Sequence, residues 1–161
     1  MIAQRAEGEF RLDDEAATGA LGAAIARELR TGEAICLSGP LGAGKSTLAR
    51  ALVRALTTPN EEVPSPTFTL VQFYEGHRLK VAHFDLYRLT SAEEAYEIGL
   101  DEALDDGAAV IEWPERLEGH LPPDRLDIEI VIDISPDGGE ARRARLVPAG
   151  AWEGRGLEFA A

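Results

Sequence analysis

Three glycines, one lysine and one serine lie close together between residues 39 and 46, where the chain reads Gly-Pro-Leu-Gly-Ala-Gly-Lys-Ser. Glycine permits backbone angles and close approaches that other residues do not, so such a loop can curl with its N–H groups facing inward. Lys45 adds a cation that can reach the outer phosphates of a nucleotide, and the hydroxyl of Ser46 can bind Mg²⁺. An apolar run precedes the loop and helical spacing follows it, which is the context of a phosphate-binding loop. We therefore predict that residues 39–46 bind a nucleoside triphosphate with Mg²⁺.

The identity of the base is indicated by what the sequence lacks. A loop that reads guanine usually contains an Asn-Lys-x-Asp element. Asn60 is the only asparagine of the chain, and Glu61 follows it, so this element is absent. The sequence therefore favours ATP as the bound nucleotide, with ADP as its product.

Two acidic residues, Asp85 and Glu112, each follow an apolar stretch that reads as a buried strand. A parallel sheet would bring both to the edge that carries the phosphate loop, where a carboxylate holds Mg²⁺ or orients the attacking water. We prefer Glu112 as the Mg²⁺ ligand, together with Ser46, because its strand is the more apolar. Asp85 is then a second carboxylate that acts on water or on a partner. The alternatives are a turn residue at 85 and a surface carboxylate at 112.

Three further residues near these strands could do chemistry, but their positions favour structural roles. His83 alternates with Phe84 near a strand end and is interpreted as a core histidine rather than a catalyst. Trp113 is interpreted as a packing residue. Cys36 lies within an apolar strand, where we expect it to be inert.

The elements that must position these residues are indicated by hydrophobic periodicity. Asp13 or Asp14 begins a helix that runs to about Arg30, and the run 34–38 is a strand buried on both faces. Further strands are predicted at 67–75, 79–84 and 108–111, with a short helix over about 92–98. This order predicts an α/β fold, a single P-loop NTPase domain with a mainly parallel sheet core flanked by helices.

A hairpin should add antiparallel strands to that sheet. Every second residue of 126–134 is apolar, the residues between are acidic except Val131, and residues 141–147 return after a turn at Pro136-Asp137-Gly138-Gly139. We interpret Arg142, Arg143 and Arg145 as cross-strand partners of the acidic face rather than as ligand-binding residues. Residues 1–148 form the predicted ATPase domain, and residues 149–161 are expected to be a loosely held C-terminal tail.

The composition limits the class of protein and its partners. With 16 basic and 29 acidic residues the net charge is −13, which argues against gripping DNA or tRNA directly and against binding anionic membranes. Such charge either speeds an encounter with a basic protein partner or only maintains solubility. The single cysteine forms no internal disulfide, and no secretory or membrane-spanning segment is visible. We expect a cytoplasmic protein.

Four motifs in a fixed order resemble one known family. They are Leu41-Gly42-Ala43-Gly44-Lys45-Ser46-Thr47, Ser65-Pro66-Thr67-Phe68-Thr69-Leu70, His83-Phe84-Asp85-Leu86-Tyr87-Arg88-Leu89 and Ile111-Glu112-Trp113-Pro114-Glu115. Over about residues 9–147 the chain resembles the TsaE family, bacterial ATPases of tRNA threonylcarbamoyladenosine synthesis. Members work with TsaD and TsaB, which modify the adenosine beside the anticodon. Their ATP hydrolysis is thought to reset that complex between turnovers, and their contact with tRNA would be indirect.

The resemblance also assigns roles to residues. It implies Mg²⁺ on Ser46 and Glu112, a nucleotide-sensing switch at Ser65-Pro66-Thr67, and catalytic roles for Lys45, Asp85 and Glu112. ATP or ADP would contact the following residues: Leu41, Gly42, Ala43, Gly44, Lys45, Ser46 and Thr47 in the loop, and Thr18 near the base. Most members have threonine where this chain has Ser46, and both residues supply the hydroxyl.

Two other functions remain open on the sequence. A P-loop kinase would transfer phosphate to a small molecule, although no lid-like insertion with arginines is visible. A nucleotide-gated binding module would bind ATP with little turnover. Phosphate on a metabolite would favour the kinase, and weak hydrolysis that rises when TsaD and TsaB are added would favour the ATPase over the binding module.

Overall fold

The structure, a computed structural model, describes residues 2–159. Its strands are β1 (Ile2–Arg5), β2 (Gly8–Leu12), β3 (Ala34–Ser38), β4 (Val71–Glu75), β5 (Lys80–Asp85), β6 (Ala108–Glu112), β7 (Arg125–Ile134), β8 (Glu140–Ala149) and β9 (Gly156–Phe159). Its helices are α1 (Glu15–Glu28), α2 (Lys45–Leu56), α3 (Ala92–Glu97) and α4 (Leu100–Asp106), with 3₁₀ turns at Pro114–Leu117 and Gly150–Trp152. Across the described residues, no helix has the length and apolar character needed to cross a membrane.

Seven of these strands form one mixed sheet in the order β2-β8-β7-β3-β6-β5-β4. The four strands β7, β3, β6 and β5 pair in parallel at the centre of the sheet. Antiparallel strands extend the sheet at both ends, with β8 and β2 on one side and β4 on the other. The α/β fold class, its parallel core and the added hairpin are therefore confirmed. Because β3, β5 and β6 run in parallel, their carboxyl ends meet at one edge of the sheet.

Strand β3 is buried on both faces, as its continuous apolar run predicts. Ile35 and Leu37 pack in the core beneath α1 and α2, whereas Ala34 and Cys36 pack in the core on the opposite face with residues of α3 and α4. Burial raises the pKa of the Cys36 thiol to about 12, with a further contribution from Asp127. The thiol therefore stays protonated and unreactive at neutral pH, in agreement with the inert role expected for it.

Helix α1 begins where the sequence predicts, and its start is fixed by a side-chain cap. The Asp14 carboxylate accepts a hydrogen bond from the Ala17 N–H at 2.8 Å. At the other end, the Arg78 guanidinium donates to the carbonyls of Ala26 and Leu29 at 2.6 and 2.8 Å. Both contacts satisfy backbone groups that a helix terminus leaves without partners.

The predicted strand at 67–75 is wrong in its first half, because β4 begins only at Val71. Residues 67–70 form turns, in which the Leu70 N–H donates to the Pro66 carbonyl at 2.7 Å. Leu70 has a φ of 69°, a left-handed conformation that ends any extended run. Threonine and phenylalanine favour strands, but here the loop geometry overrides that preference.

The expectation of a loosely held tail is also wrong for residues 149–159. Strand β9 pairs with β1 in an antiparallel two-stranded sheet that lies against α1. Trp152 and Leu157 are fully buried, and Arg155 binds the buried Glu33 carboxylate at 2.7 Å. The prediction failed because β9 is held by β1, a partner strand about 150 positions away in the chain, which local sequence does not reveal.

Candidate nucleotide-binding site

The glycine-rich loop connects the carboxyl end of β3 to the first residue of α2. A Cβ at Gly39 would lie 2.6 Å from the Ile130 carbonyl oxygen, so only glycine allows β7 to pass this closely. Gly44 has a φ of 107° and precedes α2 directly. These two positions bend the loop over the amino end of the helix, where free N–H groups and the helix dipole favour an anion.

Lys45 is the first residue of α2, and its side chain folds back over the loop. The side chain is only 5% exposed, and Nζ donates to the Gly39 carbonyl at 2.6 Å. Nζ also lies 3.4 Å from the centroid of the Trp113 ring, a cation–π contact. Burial lowers the pKa of the Lys45 ammonium from its ordinary value of 10.5, and Glu112, Glu115 and Asp85 oppose this shift.

Glu112 ends β6 and lies beside Ser46 at the start of α2. The Ser46 hydroxyl donates to Glu112 Oε1 at 3.2 Å. The other carboxylate oxygen, Oε2, lies 2.6 Å from Nε2 of His83. Glu112 is 2% exposed, so the surface carboxylate considered as an alternative is excluded. His83 is buried, as expected for a core histidine, but the sequence did not indicate that it contacts the acidic residue.

Asp85 ends the neighbouring strand and is the register partner of Glu112 across β5 and β6. Its Oδ1 accepts the Tyr87 N–H at 3.0 Å, and its Oδ2 accepts the Thr67 hydroxyl at 3.4 Å. Thr67 in turn lies 2.9 Å from the Ser65 hydroxyl. Asp85 therefore connects the edge of the sheet to the loop in which a switch was expected.

Ser46 and Glu112 fit a magnesium ion that arrives with a nucleotide. Both present oxygen atoms, the donor type that Mg²⁺ prefers, and the two oxygens are close enough for one ion to take both. Mg²⁺ commonly binds through one or two protein oxygens, with phosphates and water completing its coordination. No group of three or more His, Cys, Asp or Glu suited to a metal ion occurs in residues 2–159.

A polar pocket of about 320 Å³ adjoins the loop and the start of α1. Thr18, Gly42, Ala43, Gly44 and Thr47, all expected to contact the nucleotide, line this pocket. The structure therefore brings the first helix next to the phosphate loop, as the expected role of Thr18 requires. Leu41 lies at the loop tip and is 71% exposed, so its side chain projects away from the protein.

Arg142 also lines this pocket, and sequence analysis missed it. Its Nη2 donates to the Gly42 carbonyl at 3.3 Å, and it pairs with Glu140 of its own strand at 3.7 Å. The cross-strand interpretation is therefore wrong for Arg142. It is confirmed for Arg143 and Arg145, which bind Asp133 and Glu129 at 2.9 and 3.0 Å. The local sequence does not show which of these arginines reaches the pocket, because that depends on how β8 packs beside the loop.

Comparison with known proteins identifies one family. The family model of the threonylcarbamoyl adenosine biosynthesis protein TsaE matches residues 12–142. The TsaE protein of Synechocystis sp. is 44% identical over 115 residues, which cover 68% of this chain and 71% of that protein. The TsaE protein of Rickettsia felis is 36% identical over 121 residues, which cover 75% of this chain and 71% of that protein.

A solved structure supports the same relationship. The crystal structure of Bacillus subtilis YdiB superposes with a TM-score of 0.69 and 26% sequence identity, covering 95% of this chain and 92% of that one. The fold, the order of the motifs, the family model and the relatives agree, and the chain belongs to the TsaE family.

Proposed function

We propose that this chain is a magnesium-dependent ATPase of tRNA threonylcarbamoyladenosine synthesis that acts on a complex of TsaB and TsaD. One observation carries the ATPase assignment. A buried carboxylate, Glu112, lies 3.2 Å from the hydroxyl of Ser46 at the amino end of a helix that follows a phosphate loop. The modification reaction comes from the family and from the names of its members.

The residues of the loop would act first, by binding the phosphates. The loop and the start of α2 would supply N–H donors, and Lys45 would exchange its contacts with Gly39 and Trp113 for contacts with phosphate oxygens. Ser46 and Glu112 would hold Mg²⁺, which would supply positive charge beside the phosphate oxygens.

Asp85 would orient the attacking water or transmit the state of the nucleotide. Its two oxygens are tied to different segments, one to the Tyr87 N–H and the other to the Thr67 hydroxyl. A change in the loop that contains Ser65 and Thr67 would therefore move the Asp85 carboxylate. This connection supports the proposal that hydrolysis and partner contact are coupled through residues 65–67.

The charge of the chain supports protein partners rather than direct contact with tRNA. A net charge of −13 repels a phosphate backbone, so tRNA would meet this chain only through TsaB and TsaD. Opposite charge on a partner would increase the association rate, and this effect would weaken as salt rises.

Reconstitution tests the proposal directly. Purified chain, TsaB, TsaD, threonylcarbamoyl donor and tRNA are assayed with and without ATP, and both modified adenosine and free phosphate are measured. We expect repeated turnover only when this chain and ATP are both present. Phosphate on a small molecule would support a kinase, and turnover independent of ATP would refute the proposal.

A matched pair of variants then tests the metal assignment. Glu112→Gln keeps the shape of the side chain and removes its charge, so hydrolysis should fall by about 100-fold or more, as when a charged transition-state contact is lost. Glu118→Gln makes the same change at an exposed glutamate of the following turn and should leave hydrolysis unchanged. Equal rates in the two variants would contradict a metal role for Glu112.

A further inference from the structure

His83 lies inside the protein on the strand that carries Asp85, yet the reaction described so far gives it no role. It is 1% exposed and occupies the register position opposite Val110, two residues before Glu112 on the neighbouring strand. The flanking positions on this face, Val81 and Val110, belong to the apolar core beneath α1 and α2. Burying a polar ring in this setting costs free energy unless the ring is hydrogen-bonded.

The hydrogen bond of His83 goes to the carboxylate expected to hold the metal. Nε2 lies 2.6 Å from Glu112 Oε2, and the two side chains are 2% and 3% exposed. A carboxylate that binds a metal ion is ionised and only accepts hydrogen bonds, so in the metal-binding state Nε2–H of the ring is the donor. The other ring nitrogen, Nδ1, is buried and has no hydrogen-bond partner within residues 2–159. The polar chemistry of the ring is therefore directed at Glu112.

The two oxygens of Glu112 are held by different elements. Oε2 accepts from His83 of β5, and Oε1 accepts from Ser46 of α2 at 3.2 Å. A quarter turn of the carboxylate about its last torsion would break both contacts, whereas a half turn only exchanges two equivalent oxygens. The histidine thus fixes the plane of the carboxylate, so that one oxygen faces the amino end of α2, where the phosphates and their metal ion would lie.

We propose that His83 is a positioning residue that orients Glu112, so that Oε1 faces Ser46 and the divalent cation bound with the nucleotide. This inference rests on the proposed function, because it requires a metal–nucleotide complex at the loop. A residue that hydrogen-bonds the part of a metal ligand that does not bind the metal fixes the orientation of that ligand. Replacement of such a residue commonly lowers metal affinity by about 10–100-fold. A packing role alone would need only the volume of the ring.

Two amide substitutions separate these roles. His83→Gln places an amide N–H near the position of Nε2, whereas His83→Asn is one methylene too short to reach Glu112 Oε2. Mn²⁺ replaces Mg²⁺ as the probe, and electron paramagnetic resonance measures its affinity for the complex of the full chain with ADP. Calorimetry with ADP and no metal measures whether the phosphate loop itself is intact. His77→Asn, at an exposed histidine, is the control.

We expect His83→Asn to lower Mn²⁺ affinity by about 10–100-fold and His83→Gln to stay within about threefold of the original chain. ADP affinity without metal should be the same in all variants. If the asparagine variant does not fold, His83→Met fills the volume without a donor and should show the same loss.

Two results would overturn the inference. One is unchanged Mn²⁺ affinity in the asparagine or methionine variant. The other is an equal loss in the glutamine and asparagine variants together with weaker metal-free ADP binding, which is the behaviour of a packing residue. Failure of the original chain to bind ADP with Mn²⁺ would instead overturn the proposed function along with this inference.

Discussion

Replacing Lys45 with methionine tests the proposal that the loop binds a nucleotide. Methionine keeps an unbranched side chain that fills the same space, but it removes the ammonium. In the described structure that ammonium is already engaged, with the Gly39 carbonyl at 2.6 Å and with the Trp113 ring at 3.4 Å. Binding of phosphate would therefore replace existing contacts rather than add new ones to a free cation.

The expected loss of affinity follows from this exchange. Each hydrogen bond to a charged group contributes about 1.5–3 kcal/mol, so two bonds to phosphate would supply about 3–6 kcal/mol. Leaving the Gly39 carbonyl costs about 1.5–3 kcal/mol, and leaving Trp113 costs about 0.5–2 kcal/mol, because the lysine is largely buried. The difference is about 1 kcal/mol whether the low or the high values are taken, which corresponds to about fivefold weaker binding.

Calorimetry with ADP in the presence of Mg²⁺ measures this quantity. Lys80→Met is the matched control, because Lys80 is the other lysine of the chain and pairs with Asp106 and Glu75 at the surface. The control should bind as the original chain does. Unchanged affinity in Lys45→Met would remove the phosphate assignment. A loss beyond about 100-fold would refute the exchange, since Lys45 would then keep its present contacts when phosphate binds.

Three further outcomes are expected. Arg142→Ala should weaken ADP binding by about fivefold, because it removes one hydrogen bond worth about 1 kcal/mol. Arg145→Ala is the control and should leave ADP affinity unchanged. Equal affinities of the two variants in calorimetry would contradict a role for Arg142 in the pocket. The pKa of Lys45 is lowered by burial, and bound phosphates should raise it. ADP affinity should therefore be full below the lowered pKa of Lys45 and fall as pH rises through it. Binding should take up protons, so the measured binding heat should depend on the ionisation heat of the buffer. An ADP affinity that stays constant up to pH ~10 would contradict this coupling. Trp152→Ala removes a fully buried side chain and should lower the free energy of unfolding by about 3–5 kcal/mol. Phe73→Ala, at an exposed position, should change it by less than about 0.5 kcal/mol, and similar denaturant midpoints for both variants would show that the C-terminal segment packs loosely.

The features that the sequence predicted well depend on the pattern of residues that are close together in the chain. The loop at 39–46 and the apolar strands that end at Asp85 and Glu112 each depend on local order, and parallel pairing then brings them together. The motif at 65–70 was recognised, but its turns at 67–70 were not, because Leu70 adopts a conformation rare for leucine.

What escaped prediction depends on contacts between distant segments. His83 meets Glu112 from a different strand, and Arg142 reaches the Gly42 carbonyl across 100 positions of sequence. Neither partner leaves a periodic signal near the residue itself. The pairing of β1 with β9 was missed for the same reason, because each strand is only four residues long and is stable only when paired with the other.

That pairing bears on how the chain reaches its final form during synthesis. Helix α1 carries Thr18 beside the pocket proposed for the nucleotide, yet one of the surfaces it packs against, β9, leaves the ribosome more than 100 residues later. Until then the helix can dock on α2 but lacks its outer support. The loop itself needs β6 and β7 beside β3, so the site should assemble late, and the wall formed by α1 should be fully secured only after β9 has emerged.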